Sequence, residues 1–252
     1  MPILSLAAAE AMAGRVLAAR YPDADAALLT GSNARGEATA GSDLDFIVLY
    51  RELPRARRES FMFEGMPVEA FIHDPETLAW FLNADIEAGK PGMHSMVSDG
   101  RILGPRPAAA ERLRARAKAG LAAGPPPFKP EQIEQYRYHI TGHLDDLRDE
   151  RDPDEIVSIG VWLYLSLAEV MLRGRGGWMG TAKWIPRYLK ALDPALERRF
   201  TAAFDALFAR HDPALVIALA EVELAPHGGL LFDGYVSQAE PSARLAQAPE
   251  AE

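Results

Sequence analysis

The chain carries the sequence TGSNARG over residues 30–36 and GSDLDFIV over residues 41–48. In the first segment, Gly31 ends a short apolar run, Ala26–Thr30, which predicts a strand. In the second, Asp43 and Asp45 stand two residues apart at the start of Leu44–Tyr50, a run rich in β-branched and aromatic residues that predicts a second strand. Because side chains alternate along a strand, both carboxylates project from the same face.

A third acid lies on the next predicted strand. Glu69 interrupts the otherwise apolar run Met66–Ile72. Three crowded carboxylates repel one another and raise one another's pKa unless a cation is present. Mg²⁺ prefers hard oxygen ligands and binds through a few carboxylates plus substrate phosphates. The pattern therefore predicts that Asp43, Asp45 and Glu69 share Mg²⁺, as phosphoryl-type transfer requires.

The first segment has the residues expected at a phosphate site. Gly31 at a strand-to-helix turn lets backbone N–H groups approach a phosphate, and Ser32 follows it at the start of a predicted helix whose N-terminus favours negative charge. Arg35, one turn into that helix, adds a possible charge-assisted contact. Gly31, Ser32 and Arg35 are therefore predicted to bind the phosphates of a nucleotide.

Gly-Ser, a gap and then Asp-x-Asp before an apolar strand resembles the signature of the polymerase-β-like nucleotidyltransferase superfamily. The resemblance extends over Ala26–Ile72, and the fuller string Gly-Ser-x-Ala-Arg-Gly…Ser-Asp-Leu-Asp resembles the bacterial aminoglycoside nucleotidyltransferases. It implies that Gly31 and Ser32 bind the triphosphate and that the Asp pair holds the catalytic metals. It also implies that Glu69 is the third acid, which in some members of the family acts as general base.

The resemblance continues more loosely into Gly180–Pro186, where it implies that Lys183 reaches the triphosphate from the opposite wall of a cleft. The implied activity transfers AMP from ATP to a hydroxyl of a small acceptor, such as an aminoglycoside-like antibiotic, with antibiotic resistance as a role. Two alternatives stay open. One is transfer to a protein or RNA acceptor, and the other is a non-catalytic nucleotide-binding or regulatory protein of the same fold.

Strand signals dominate the first third of the chain and helix signals the rest, which predicts two domains. We expect an α/β (α+β) mixed-sheet nucleotidyltransferase domain over residues 1–123 and an all-α helical domain over residues 124–237 that binds substrate or nucleotide. The linker candidate is Gly124-Pro125-Pro126-Pro127, which cannot continue a helix. Residues 238–252 are rich in Ala, Pro and Glu, and we expect them to be disordered.

Composition limits the partners. A net charge of −9 argues against a broad nucleic-acid surface, since such binding needs many Lys and Arg. Cysteine is absent, which excludes thiolate metal sites and fits a cytoplasmic protein. The apolar run Ile156–Leu172 is at the short limit for a membrane span and predicts a buried helix instead. We expect no membrane partner.

Four acids of the helical half, Asp145, Asp146, Asp154 and Glu155, suggest that the acceptor is cationic. Simpler interpretations stand beside each of these predictions. Asp43 and Asp45 can cap a turn, Glu69 can face solvent, and Arg35 and Lys183 can be surface residues. His139 and His143 have the i, i+4 spacing of a zinc pair, but no third ligand accompanies them.

Overall fold

The computed structural model describes residues 3–240, together with 242 and 243. The chain forms two compact units. The first comprises Met1–Pro127 and Leu172–Leu192, and the second comprises Phe128–Met171 and Asp193–Glu252. Most of the tail predicted to be disordered, 238–252, lies outside the described residues.

A five-stranded mixed sheet forms the centre of the first unit. Its strands are β1 (Ala26–Thr30), β2 (Leu44–Leu49), β3 (Arg57–Phe63), β4 (Met66–His73) and β5 (Arg101–Leu103). The strand order is β3-β4-β2-β1-β5, with β2 and β4 parallel and the other neighbours antiparallel. The parallel pair brings the strand of the Asp-x-Asp motif beside the strand of Glu69.

Strand β3 is not among the strands predicted from the sequence. Its first three residues, Arg57–Glu59, are charged and its last three, Phe61–Phe63, are apolar, and it lies at the edge of the sheet. A tight turn joins it to β4, in which Glu64 and Gly65 both have positive φ, 49° and 81°. Primed hairpin turns require this geometry. Edge strands tolerate charge because one side of their backbone faces solvent, and therefore hydrophobicity does not reveal them.

Helices cover both faces of the sheet. Helix α1 (Leu6–Arg20) packs Ala9, Ala13 and Val16 against one face of the sheet. The other face is covered by helices α3 (Pro75–Ala88), α4 (Gly92–Asp99) and α5 (Ala108–Ala123). The five-residue helix α2 (Gly31–Arg35) directly follows β1. Helices α3–α5 pack on the part of this face that carries Leu28 and Ile47. They do not cover the end of the face that carries Asp45 and Glu69.

The remaining elements are helical. They are α6 (Pro130–Arg148), α7 (Pro153–Arg173), α8 (Trp184–Leu192), α9 (Pro194–Arg210), α10 (Ala214–Leu224) and a 3₁₀ turn, Ala225–His227. The predicted fold class, a mixed-sheet domain followed by a mostly helical remainder, is confirmed. Among the described residues, α7 alone is long and apolar enough to span a membrane by length and composition, and 44% of its apolar window is buried inside the structure.

His73 closes β4 with its side chain buried at 3% exposure. Its ring packs edge-on against Phe81, with centroids 5.1 Å apart, and Nδ1 lies 3.3 Å from the Thr77 hydroxyl. Burial lowers the pKa of His73 from 6.5 to about 4. Between these two values the unfolded chain binds a proton that the folded chain does not, and stability therefore falls as the pH falls through this window.

We expect His73→Asn to make the free energy of unfolding less dependent on pH. In the wild type this imidazole contributes a loss of about 3 kcal/mol as the pH falls from about 7 to 4. The variant lacks the titrating ring, although it has a lower stability at pH 7. Urea unfolding at several pH values measures the slope for both proteins. An identical slope in wild type and variant would show that His73 is not neutral in the folded chain.

Candidate active site

The strand register aligns four polar side chains in one row across the sheet. Thr30 on β1 pairs with Asp45 on β2, which pairs with Glu69 on β4, which pairs with Ser60 on β3. Asp43 lies two residues before Asp45, just before β2 begins. Carboxylate oxygens of the three acids lie within 4.8 Å of one another. The structure therefore brings together the acids that the sequence predicts as metal ligands.

Asp45 is the most perturbed member of this cluster. Burial, and after it the neighbouring carboxylates of Asp43 and Glu69, raise its pKa to about 6, while Arg35 and Lys183 act in the opposite direction. The cluster thus carries more negative charge than the surrounding protein compensates. An all-oxygen donor set with uncompensated charge fits a hard divalent cation such as Mg²⁺.

Gly31 lies directly against Asp45. Its φ is +70°, in the left-handed region that favours glycine, and a Cβ atom at this position would overlap Asp45 Oδ2. No other residue type allows the chain to turn from β1 into α2 so close to the carboxylate. The Gly of the Gly-Ser pair therefore has a steric function in addition to its predicted contact with phosphate.

The loop that carries Asp43 is held by hydrogen bonds that were not predicted from the sequence. The buried Asn33 donates from Nδ2 to the carbonyl oxygen of Asp43 over 2.6 Å. The Ser32 hydroxyl donates to the Ser42 hydroxyl over 3.1 Å, and Ser42 Oγ accepts from the backbone N–H of Thr39 over 2.8 Å. No sequence pattern distinguishes Asn33 from a surface amide, because its partner is a backbone atom ten residues away.

A cavity of about 450 Å³ lies beside the acids. Six of the seven predicted site residues line it, namely Gly31, Ser32, Arg35, Asp43, Asp45 and Lys183. All residues that line this cavity belong to the first unit, including those from Met179–Tyr188. The remaining predicted residue, Glu69, lines a separate depression of about 300 Å³ that also contains Asp43.

Arg35 and Lys183 contribute positive charge to this cavity in different ways. Arg35 Nε lies 3.1 Å from a Glu37 carboxylate oxygen, and its guanidinium lies 5.1 Å from the centroid of Trp184. Arg35 therefore also ties α2 to the segment containing Lys183. Lys183 itself is exposed, and within the described part of the chain it forms no ion pair with Asp45.

On the other side of the cluster, Glu69 forms an ion pair with Arg58. The Arg58 guanidinium also lies over the ring of Phe71, 5.0 Å from its centroid. The side chain of Arg58 is 59% exposed, whereas that of Glu69 is 20% exposed. Arg58 was not predicted from the sequence because β3 was not predicted either; the register of β3 with β4 places Arg58 opposite Phe71, two residues along β4 from Glu69.

Two of the four acids of the helical half, and both histidines, have local partners. Asp145 pairs with Arg148 at 2.5 Å, and Asp146 pairs with Arg151 at 2.8 Å. The rings of His139 and His143 pack on Trp162, with centroids 5.8 and 4.4 Å away. Among the described residues, the Asp43, Asp45 and Glu69 cluster is the one group of three suited to a metal ion.

Residues 15–77 match the family model described as a nucleotidyltransferase domain. The match covers about a quarter of the chain and includes the predicted site residues except Lys183. No curated protein matches the chain. Among solved structures, the chain is similar to a nucleotidyltransferase-like protein from Exiguobacterium sibiricum, at 15% identity and a TM-score of 0.41, over 88% of this chain and 73% of that one.

The segment 15–77 offers a matched pair of glycines to test the steric function of Gly31. Gly31 and Gly36 have nearly equal φ, +70° and +72°, but a Cβ at Gly36 meets nothing within 4 Å. Both alanine variants bear backbone strain of roughly 1 kcal/mol. We expect Gly31→Ala alone to displace the Asp45 carboxylate.

Titration with Mn²⁺, followed by electron paramagnetic resonance, measures the consequence. Gly36→Ala should bind Mn²⁺ as the wild type does, whereas Gly31→Ala should bind it roughly 10-fold or more weakly. Equal Mn²⁺ affinity in the two variants would mean that the close approach of Gly31 to Asp45 has no bearing on the metal site.

Proposed function

We propose that the protein is a Mg²⁺-dependent nucleotidyltransferase that moves AMP from ATP onto a hydroxyl of a small acceptor. The observation that carries this proposal is the row of acids beside Gly31 and Ser32, within a segment that matches a nucleotidyltransferase domain. An aminoglycoside-like antibiotic is the acceptor class that the sequence resemblance suggests. Asp145 and Asp146 each form an ion pair with an arginine, which reduces the negative charge available to attract a cationic acceptor.

Each residue has a distinct part in the proposed reaction. Asp43, Asp45 and Glu69 would hold Mg²⁺, whose charge, when bound, neutralises the triphosphate as it reacts. Gly31 and Ser32 bind phosphate oxygens through backbone N–H groups and a hydroxyl. Lys183 adds a positive charge on the same cavity. Glu69 lies on the other side of Asp43 from the phosphate-binding groups. It accepts the proton of the attacking hydroxyl.

Clustered acids favour a catalytic protein over a non-catalytic one of the same fold. Burial and like charge both raise the pKa of Asp45, so the cluster destabilises the metal-free folded chain. A protein that only bound a nucleotide through backbone N–H groups and lysine would gain nothing from this arrangement. Metal-assisted transfer gives the cluster a physical purpose.

The proposed activity is tested by a screen for acceptors that follows release of pyrophosphate. Purified protein receives labelled ATP and Mg²⁺ with aminoglycosides, other hydroxylated small molecules, a protein mixture or RNA. We expect pyrophosphate release and label transfer with a small hydroxylated molecule. Label on RNA or protein alone would overturn the proposed acceptor class. Nucleotide binding without transfer to any class would favour the non-catalytic alternative.

The variant Asp45→Asn should separate catalysis from folding. Loss of one metal ligand should lower transfer on the order of 100-fold or more, a typical effect of removing one electrostatic group from an active site. At pH 8 in EDTA the same variant should be more stable than the wild type by about 1 kcal/mol, or about 2–4 °C, because one of three repelling charges is gone. Calorimetry and the transfer assay measure these effects. Near-native turnover at saturating Mg²⁺ would contradict the metal assignment.

Lys183 can be compared with Lys190, which is also exposed and lies on α8, outside the residues that line the cavity. Removing a charge-assisted contact with the triphosphate costs roughly 1.5 kcal/mol, so we expect Lys183→Ala to raise the KM for ATP about 10-fold. Lys190→Ala should leave the KM unchanged. If both variants have wild-type kinetics, Lys183 is an ordinary surface lysine.

A further inference from the structure

The β3–β4 hairpin presents an open face beside Glu69. Ser60 stands opposite Glu69 in the register and Met62 stands opposite Pro67, so these four side chains share the face that carries the acids. We call this face the hairpin shelf. With Asp43 at its edge, the shelf borders the depression of about 300 Å³. The proposed function assigns no part to Ser60, Met62 or Pro67.

The hairpin shelf and the larger cavity meet at Asp43, which lines both. In nucleotidyl transfer the attacking and leaving oxygens are roughly in line across the phosphorus atom. Gly31, Ser32 and Lys183 line the larger cavity, and the leaving pyrophosphate would therefore lie on that side. An acceptor oxygen that approaches from the opposite direction comes from the hairpin shelf.

The chemistry of the shelf restricts what can bind there. Its polar groups are the Ser60 hydroxyl and Glu69, and the ion pair with Arg58 already offsets the charge of Glu69. Its apolar groups are Pro67 and Met62, whose side chain is 64% exposed. The thioether of methionine makes favourable contacts with aromatic rings. The shelf therefore suits an apolar ring that carries a hydroxyl, and it offers little to a polycation.

We propose that the hairpin shelf is the acceptor site and that the acceptor is a small hydroxylated ring compound with an apolar face. This inference rests on the proposed function. The ring packs on Met62 and Pro67, and its hydroxyl lies between Ser60 and Glu69. The hydroxyl oxygen bonds to the α-phosphorus as the bond from that phosphorus to the bridging β-phosphate oxygen breaks. The electron pair leaves with pyrophosphate, and the hydroxyl proton passes to Glu69.

Methionine methyl signals can test the two sites separately in one NMR sample. Met62 lies on the shelf, whereas Met96 and Met179 line the larger cavity. The protein is labelled with ¹³C at its methionine methyl groups, and Met→Leu variants assign the three signals. α,β-Methylene-ATP with Mg²⁺ occupies the nucleotide site without releasing pyrophosphate. Tyrosol, a neutral phenol, and kanamycin, a polycationic aminoglycoside, are then added in turn.

We expect the nucleotide analogue to shift Met96 and Met179, and tyrosol to shift Met62 more than kanamycin does. Unmoved Met96 and Met179 signals would count against the proposed function itself. In a second outcome, the Met96 and Met179 signals shift but the Met62 signal does not shift with tyrosol, or shifts as much with kanamycin. The proposed function then stands and the shelf inference is overturned.

A pair of substitutions checks that tyrosol binds at the shelf. Ser60 and Ser158 are both exposed, but Ser158 lies on α7 in the second unit. Ser60→Lys places a long charged side chain across the shelf and should abolish the tyrosol-induced shift of Met62. Ser158→Lys should preserve it. An undiminished shift in Ser60→Lys would place tyrosol elsewhere and refute the assignment.

Discussion

Repulsion among three carboxylates within 4.8 Å of one another is the constraint around which the first unit is organised. The strand register imposes it, because Asp45 and Glu69 are direct neighbours on two parallel strands. Burial of Asp45 adds to the cost, as its raised pKa shows. In the proposed function a bound cation would relieve this cost, and the stability of the first unit would then depend on occupancy of the site by metal.

Positive charge lies on both sides of the cluster, but it is used differently on each side. Arg35 and Lys183 face the larger cavity and partly offset the charge of Asp45. Arg58 lies on the opposite side and pairs with Glu69 on the hairpin. This division gives the two sides different chemistry. The larger cavity has the cationic and backbone groups that suit phosphate, and the hairpin shelf has a compensated acid beside apolar surface.

Much of this arrangement could be predicted from the sequence, because it depends on local patterns. The Gly-Ser pair, the Asp-x-Asp spacing and the acid in an apolar run indicate adjacent strands, and the structure has them. Strand β3 could not be predicted, since an edge strand needs no hydrophobic pattern. The roles of Asn33 and Arg58 could not be predicted for a related reason. Their partners, the Asp43 carbonyl and Glu69, lie ten and eleven residues away in the sequence, and only the folded chain brings them into contact.

Binding of ATP as a function of Mg²⁺ tests the central claim most directly. Calorimetric titration of ATP into the wild-type protein is performed once with saturating Mg²⁺ and once in EDTA. We predict one ATP bound per chain with Mg²⁺, and affinity weaker by roughly 10-fold or more in EDTA, because the three acids then repel the triphosphate. Equal affinity in EDTA and in Mg²⁺ would contradict this claim, since the acid cluster would then have no part in binding the nucleotide.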